Sequence, residues 1–191
     1  MKQSLANHWK PLAGAAATIA VVAALLVGVL AGSDEFPEAE LTVEGPLPQL
    51  TGVDPVSREA VSTDDFAGRP LMINMWASWC EGCRVEAPDI RRFVADRPDV
   101  AFIGLDVNDD DGAARDFVEK YEWTHPSISD PKGELASELN LQGLPTTVYV
   151  WPDGRLAGRS LGEVTYEDLQ SVADTLVKGA PEESEPSSDE L

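Results

Sequence analysis

Cys80 and Cys83 are the residues of this chain whose type and spacing most directly suggest chemistry, and they are the only cysteines among its 191 residues. Two thiols this close can alternate between a dithiol and a disulfide by exchange with another protein. A disulfide between them would stabilise the fold little as a cross-link, because so short a loop removes little entropy from the unfolded chain. A closed zinc site usually needs four ligands, and the chain adds only the scattered His8 and His125. The pair therefore predicts redox exchange.

The residues around the cysteines predict that a buried strand ends, and a helix begins, at this pair. Residues 69–76 form a near-continuous apolar run, typical of a central strand. Residues 83–95 mix apolar and charged side chains, which predicts a helix packed on a sheet. Unpaired N–H groups at a helix N-terminus stabilise a thiolate, so the pKa of the Cys80 thiol should be lowered. Cys83, one turn further on, could then attack a mixed disulfide on Cys80.

The elements that follow predict parallel strands with an antiparallel edge. Further strands are expected at residues 100–107, 146–151 and 155–161. Further helices are expected at residues 112–121, 133–139 and 165–177. Pro152-Asp153-Gly154 indicates the turn of a hairpin between the last two strands. Thr165 should cap the last helix together with Asp168.

Composition is that of a globular chain, with 43% hydrophobic and 25% charged residues. The net charge of −20 argues against a nucleic-acid-binding protein, because neutralising phosphates needs clustered Lys and Arg. The acidity is interpreted as a source of solubility and self-repulsion.

The N-terminal residues predict a membrane anchor. Residues 12–32 are uncharged, apolar and long enough to span a bilayer. Lys2 and Lys10 precede them, which favours an exported C-terminal body at the cell membrane. A cleaved signal peptide is the alternative, although its apolar region would be unusually long. The expected division is a cytoplasmic N-terminus (1–11), a transmembrane signal anchor (12–32), an acidic spacer (33–45), a folded domain (46–178) and a disordered acidic tail (179–191).

Four motifs together resemble the TlpA/ResA branch of the thioredoxin superfamily, which is similar to CcmG and DsbE. They are Met75–Cys83, Glu86–Pro88, Asp130–Gly133 and Gly143–Thr147. The resemblance covers about residues 45–177. It implies an α/β thioredoxin-like fold, with a central mixed β-sheet flanked by helices. It also implies an N-terminal β extension and a central insertion at about residues 106–129.

The same resemblance implies roles for individual residues. Cys80 would be the exposed nucleophile, Cys83 the buried resolving thiol, Trp79 a flank of the binding surface, Pro145 a cis-proline opposite the pair, and Leu144 a source of backbone hydrogen bonds to a bound peptide. On the residues alone, the bond before Pro145 is expected to be trans.

Glu86 falls where this branch places an acidic residue close to the thiols. One helical turn separates it from Cys83. A partly buried carboxyl group would have a raised pKa and could carry a proton to or from a thiol. The alternative is a surface glutamate beside Arg84 or Arg91.

The sequence also departs from the superfamily pattern. Asn74 stands where thioredoxins have a buried aspartate. Because asparagine cannot titrate, Glu86 becomes the stronger candidate for the proton carrier. Gly82 replaces the frequent proline before the second cysteine, which leaves the direction of the redox reaction open. His125 is interpreted as a loop or edge residue.

The resemblance implies a membrane-tethered, extracytoplasmic protein thiol–disulfide oxidoreductase. It would reduce disulfides in exported proteins such as apocytochrome c, and a transmembrane electron donor would re-reduce it. No cofactor or metal is expected beyond the Cys80–Cys83 disulfide. An oxidant that forms disulfides is the main alternative. A copper-handling module is less favoured, because such relatives typically use CxxxC with a distal histidine. A peroxiredoxin is disfavoured because Ala77 stands where the peroxidatic motif has threonine.

Overall fold

The structure is a computed structural model that describes residues 45–180. The expected N-terminus and anchor lie outside these residues, as do nearly all of the spacer and residues 181–191 of the expected tail. Within residues 45–180, no helix has the length and apolar character needed to cross a membrane.

Seven strands and four α-helices form the described part of the chain. The strands are β1 (Thr51–Val53), β2 (Ala60–Ser62), β3 (Leu71–Trp76), β4 (Ala101–Val107), β5 (Ser127–Asp130), β6 (Thr146–Val150) and β7 (Leu156–Leu161). The helices are α1 (Glu81–Asp96), α2 (Asp111–Tyr121), α3 (Glu134–Glu138) and α4 (Tyr166–Leu176), with a short 3-10 helix at Thr63–Phe66.

A five-stranded mixed sheet lies at the centre, in the order β5-β4-β3-β6-β7. Strands β3, β4 and β5 are parallel, whereas β6 runs antiparallel to both β3 and β7. This confirms the expected thioredoxin-like α/β fold. The capping box of Thr165 and Asp168 at the start of α4 is also confirmed. The β extension is the antiparallel pair β1–β2, and the region of the expected insertion contains α2 and most of β5.

Both faces of the sheet are buried, which explains why β3 and β4 are nearly continuous apolar runs in the sequence, interrupted by Asn74 and Asp106. One face carries Trp76 and Phe102 and packs against residues of α1, α2 and α4. The other carries Ile73 and Ile103 and packs against Leu50 before β1 and residues of α3. The sheet is thus a rigid support for the loops at its edges.

A row of small and polar residues crosses the face under α1. Its members occupy one register position on neighbouring strands: Ser160, Thr147, Asn74, Gly104 and Ser127. Asn74 is completely buried in the middle of this row. A buried amide needs hydrogen-bond partners, and the Asn74 Nδ2 group donates to two of them, Glu86 and Thr147.

Candidate active site

The two cysteines form a disulfide at the start of α1, with their Cα atoms 5.3 Å apart. Cys80 is the N-cap residue of this helix, and its Sγ accepts a hydrogen bond from the Cys83 N–H over 3.1 Å. Cys83 is completely buried, as the resemblance implied, whereas Cys80, which was expected to be exposed, is only 5% exposed in this oxidised state. The Cys83 N–H, in the first turn of the helix, therefore points at the sulfur that would carry the charge of a thiolate.

The loop between β3 and α1 is held on both sides. The Ser78 N–H and hydroxyl both donate to the Asp109 carboxylate, the hydroxyl over 2.9 Å. The Ser78 carbonyl oxygen accepts from Arg84 Nε and Nη2, at 3.1 and 2.7 Å. The next residue, Trp79, is 56% exposed, and its indole N–H donates to the Asn108 carbonyl oxygen over 3.1 Å. These bonds fix an exposed aromatic ring beside Cys80.

The peptide bond between Leu144 and Pro145 is cis. The resemblance implied this, whereas the trans bond expected from the residues alone is wrong because tertiary contacts override the base rate. The loop lies against the redox motif: a Cβ atom added to Gly82 would be only 2.9 Å from Pro145 Cδ. The Pro145 carbonyl oxygen accepts from the Gly162 N–H at 3.0 Å.

Glu86 lies beneath the disulfide-bearing turn and is 1% exposed. Its Oε1 accepts from Asn74 Nδ2 at 2.9 Å, and its Oε2 accepts from the Val164 N–H at 3.1 Å. Burial raises the pKa of Glu86 to about 7, the two hydrogen bonds oppose this, and the nearby charge of Glu163 adds to it. The carboxyl group can therefore both give and take a proton near neutral pH.

The alternative interpretation of Glu86 as a surface residue is wrong. Arg84 pairs with Glu81, and Arg91 pairs with Glu122. Both arginines point outward, whereas the side chain of Glu86 turns toward the sheet. Asn74, which cannot titrate, donates to Glu86 and also to Thr147 Oγ1 over 3.1 Å.

Two acidic residues at the site were not expected from the sequence. Glu163 Oε1 would lie 2.7 Å from a Cβ atom added to Gly82, so its carboxylate rests against the redox turn. Asp106, at the end of β4, is 1% exposed, and burial followed by the charge of Asp109 raises its pKa to about 8. Asp106 could have been predicted to be a buried acid, because it lies within the apolar sequence of β4. Nothing in the sequence connects Glu163 with Gly82.

His125 lies just before β5, in a loop as expected, and is buried there. Its ring contacts Phe102 and Trp123, with centroids 4.9 and 4.6 Å away. Burial lowers the pKa of His125 to about 3, and Asp54 opposes this shift. Within residues 45–180 no three His, Cys, Asp or Glu side chains converge as they would around a metal ion.

The fold, the disulfide at a helix N-terminus and the facing cis-proline define a thioredoxin-like protein with a cysteine pair in the position of a redox site. The chain belongs to the Redoxin family, whose model matches residues 34–176. It is 26% identical over 117 residues to the thiol-disulfide oxidoreductase ResA of Oceanobacillus iheyensis, covering 60% of this chain and 61% of that protein. This chain thus spans less than two thirds of that relative's length.

Two other relatives are covered more fully. The thiol:disulfide interchange protein DsbE of Pseudomonas aeruginosa is 30% identical over 142 residues, which cover 73% of this chain and 77% of that protein. The structure is also similar to that of a secreted Mycobacterium tuberculosis disulfide oxidoreductase described as homologous to E. coli DsbE. The TM-score is 0.62 and the identity 25%, with 67% of this chain and 96% of that chain covered.

Proposed function

We propose that this protein reduces disulfide bonds in exported proteins on the outer side of the membrane, with apocytochrome c as the candidate substrate. Cys80 is the nucleophile, Cys83 the resolving thiol and Glu86 the proton carrier. The observation that carries the proposal is the enclosed Glu86, 1% exposed and one turn from Cys83, with a pKa of about 7. Such a group can exchange protons with thiols during turnover at neutral pH.

The reaction consists of two exchanges and transfers two electrons. The Cys80 thiolate attacks one sulfur of the substrate disulfide, forms a mixed disulfide and expels the other substrate sulfur as a thiolate. Cys83 gives its proton to Glu86, attacks Cys80 Sγ and releases the second substrate sulfur. The two released thiolates take up protons. The substrate then holds a dithiol, and the protein holds the Cys80–Cys83 disulfide.

Charges near the site act on the direction of the reaction in two opposite senses. The helix N-terminus stabilises a thiolate on Cys80, which favours the reduced protein. The carboxyl groups of Glu86 and Glu163 act in the opposite sense, because negative charge disfavours a second negative charge nearby. A disfavoured thiolate stabilises the disulfide form and makes the dithiol a stronger reductant.

Location and partners are inferred from the N-terminal sequence and the relatives. The basic and apolar residues 1–32 support a membrane tether with the folded domain outside the cytoplasm. The similar M. tuberculosis protein is described as secreted. An external reductant needs a supply of electrons, so a transmembrane dithiol donor is part of the proposal.

The experiment is insulin reduction by the pre-reduced fragment 45–180, followed by measurement of the reduction potential of its cysteine pair. Cys80→Ser should abolish reduction, and Cys83→Ser should accumulate a mixed disulfide with the substrate. A potential near or below about −220 mV supports a reductant. A potential near about −120 mV would instead identify an oxidant that introduces disulfides, and undiminished reduction by Cys80→Ser would refute the assignment of the nucleophile.

A further inference from the structure

Glu163 presents a carboxylate at the rim of the redox site. It is exposed. Among the ion pairs of residues 45–180, none involves Glu163. Its Oε1 would lie 2.7 Å, and the Pro145 ring 2.9 Å, from a Cβ atom on Gly82, which places the carboxylate beside the redox turn. Only glycine at position 82 leaves room for this arrangement without a shift.

The backbone on both sides of Glu163 is tied to the site. The Gly162 N–H donates to the Pro145 carbonyl oxygen at 3.0 Å. The Val164 N–H donates to Glu86 Oε2 at 3.1 Å. The loop therefore cannot carry the carboxylate away from the redox turn without breaking a hydrogen bond to a site residue.

Exposed apolar side chains lie at the same edge of the sheet. Leu161, at the end of β7 and paired with Thr146, is 59% exposed. Trp79, on the β4 side of the disulfide, is 56% exposed. A substrate segment at Cys80 would therefore meet apolar surface together with the negative charge of Glu163.

We propose that Glu163 is a specificity-determining residue that selects substrate segments carrying lysine or arginine next to the reacting cysteine. This inference rests on the proposed reduction of protein disulfides. A docked segment excludes water from the rim, so the carboxylate attracts a neighbouring cation and repels a neighbouring acid more strongly than in free solvent. For charges roughly 6 Å apart in a partly screened site, removing the carboxylate should change discrimination about fivefold.

The test uses two synthetic peptides, each closed by one disulfide and identical except for lysine or glutamate beside the first cysteine. Pre-reduced protein is mixed with each peptide at low salt, and the second-order rate of peptide reduction is measured. Each rate is divided by the rate with dithiothreitol, which removes the intrinsic reactivity of the peptide. The wild type should prefer the lysine peptide.

Glu163→Gln should lower the lysine-to-glutamate rate ratio about fivefold, and Glu163→Lys should invert it. Glu119→Gln, an exposed acid on α2, removes the same charge elsewhere and should leave the ratio unchanged. Equal rates for the two peptides, or an equal change in the Glu119 variant, would overturn the inference while leaving the proposed function intact. Failure of the wild type to reduce either peptide or insulin would overturn both.

Discussion

Replacing Glu86 with glutamine should remove a pH dependence of stability that the buried carboxyl group imposes. Folding raises the pKa of this group from 4.5 to about 7, mainly through burial. Below pH 4.5 both the folded and the unfolded chain hold the proton, so folding is not penalised. Between pH 4.5 and 7 only the unfolded chain releases it, so the free energy of unfolding falls as pH rises.

The size of this loss follows from the pKa difference. Each pKa unit corresponds to about 1.4 kcal/mol, so the wild type should lose about 3 kcal/mol between pH 4.5 and 7 and nothing further above pH 7. A glutamine amide cannot ionise. It does, however, bring an N–H group toward one of two donors, the Asn74 amide or the Val164 N–H, which adds a destabilisation that does not vary with pH.

The assay is urea unfolding of the oxidised proteins at a series of pH values from about 4 to 9, in which the disulfide cannot titrate. The quantity that matters is the wild-type free energy of unfolding minus that of Glu86→Gln. It should decrease by about 3 kcal/mol across pH 4.5–7 and be level on either side. Glu119→Gln, which removes an exposed acid, should give a nearly level difference. Parallel curves for wild type and Glu86→Gln would refute the reasoning.

Three further substitutions test a close contact at the site, a buried histidine and a helix cap. Gly82→Ala should lower the free energy of unfolding by about 1–3 kcal/mol, because the added Cβ meets the Pro145 ring at 2.9 Å; urea unfolding with no loss would contradict this contact. His125→Phe should reduce the loss of stability from pH 6.5 down to 3, because the wild type folds with a neutral histidine that the unfolded chain protonates. Acid unfolding curves of the same shape would show that His125 is not the group responsible. Thr165→Ala should lower thermal stability by about 1 kcal/mol through loss of the helix cap, whereas Thr175→Ala, inside α4, should have a smaller effect.

The strands of the central sheet could be predicted because the local sequence pattern and the burial of each strand in the fold agree. The apolar run at residues 69–76 became β3, and the turn at Pro152–Gly154 joined β6 to β7 as expected. Helix α1 begins two residues earlier than its apolar pattern suggests, because Cys80 itself caps it. The apolar pattern indicates which helix residues are buried. The residue at which the helix begins depends instead on which atom accepts hydrogen bonds from the first N–H groups.

The cysteine pair could be located from the sequence, but its charged surroundings could not. Glu86 interrupts the apolar face of α1, and the burial of its carboxyl group depends on Asn74 and on the N–H group of distant Val164. Glu163 reaches Gly82 only because β7 returns to the same edge of the sheet as β3. Such contacts join residues far apart in the chain, and the local periodicity of apolar residues does not predict them.

The hydrogen bond from the Val164 N–H to Glu86 makes one backbone amide a natural spectroscopic probe. In nitrogen-15-labelled protein, the Val164 resonance should titrate with the buried carboxyl group in both the oxidised and the reduced protein. Because Val164 follows Glu163, the same resonance should also shift when a cationic peptide docks at the rim. One resonance would then report both the protonation state of Glu86 and the binding of a peptide at the rim.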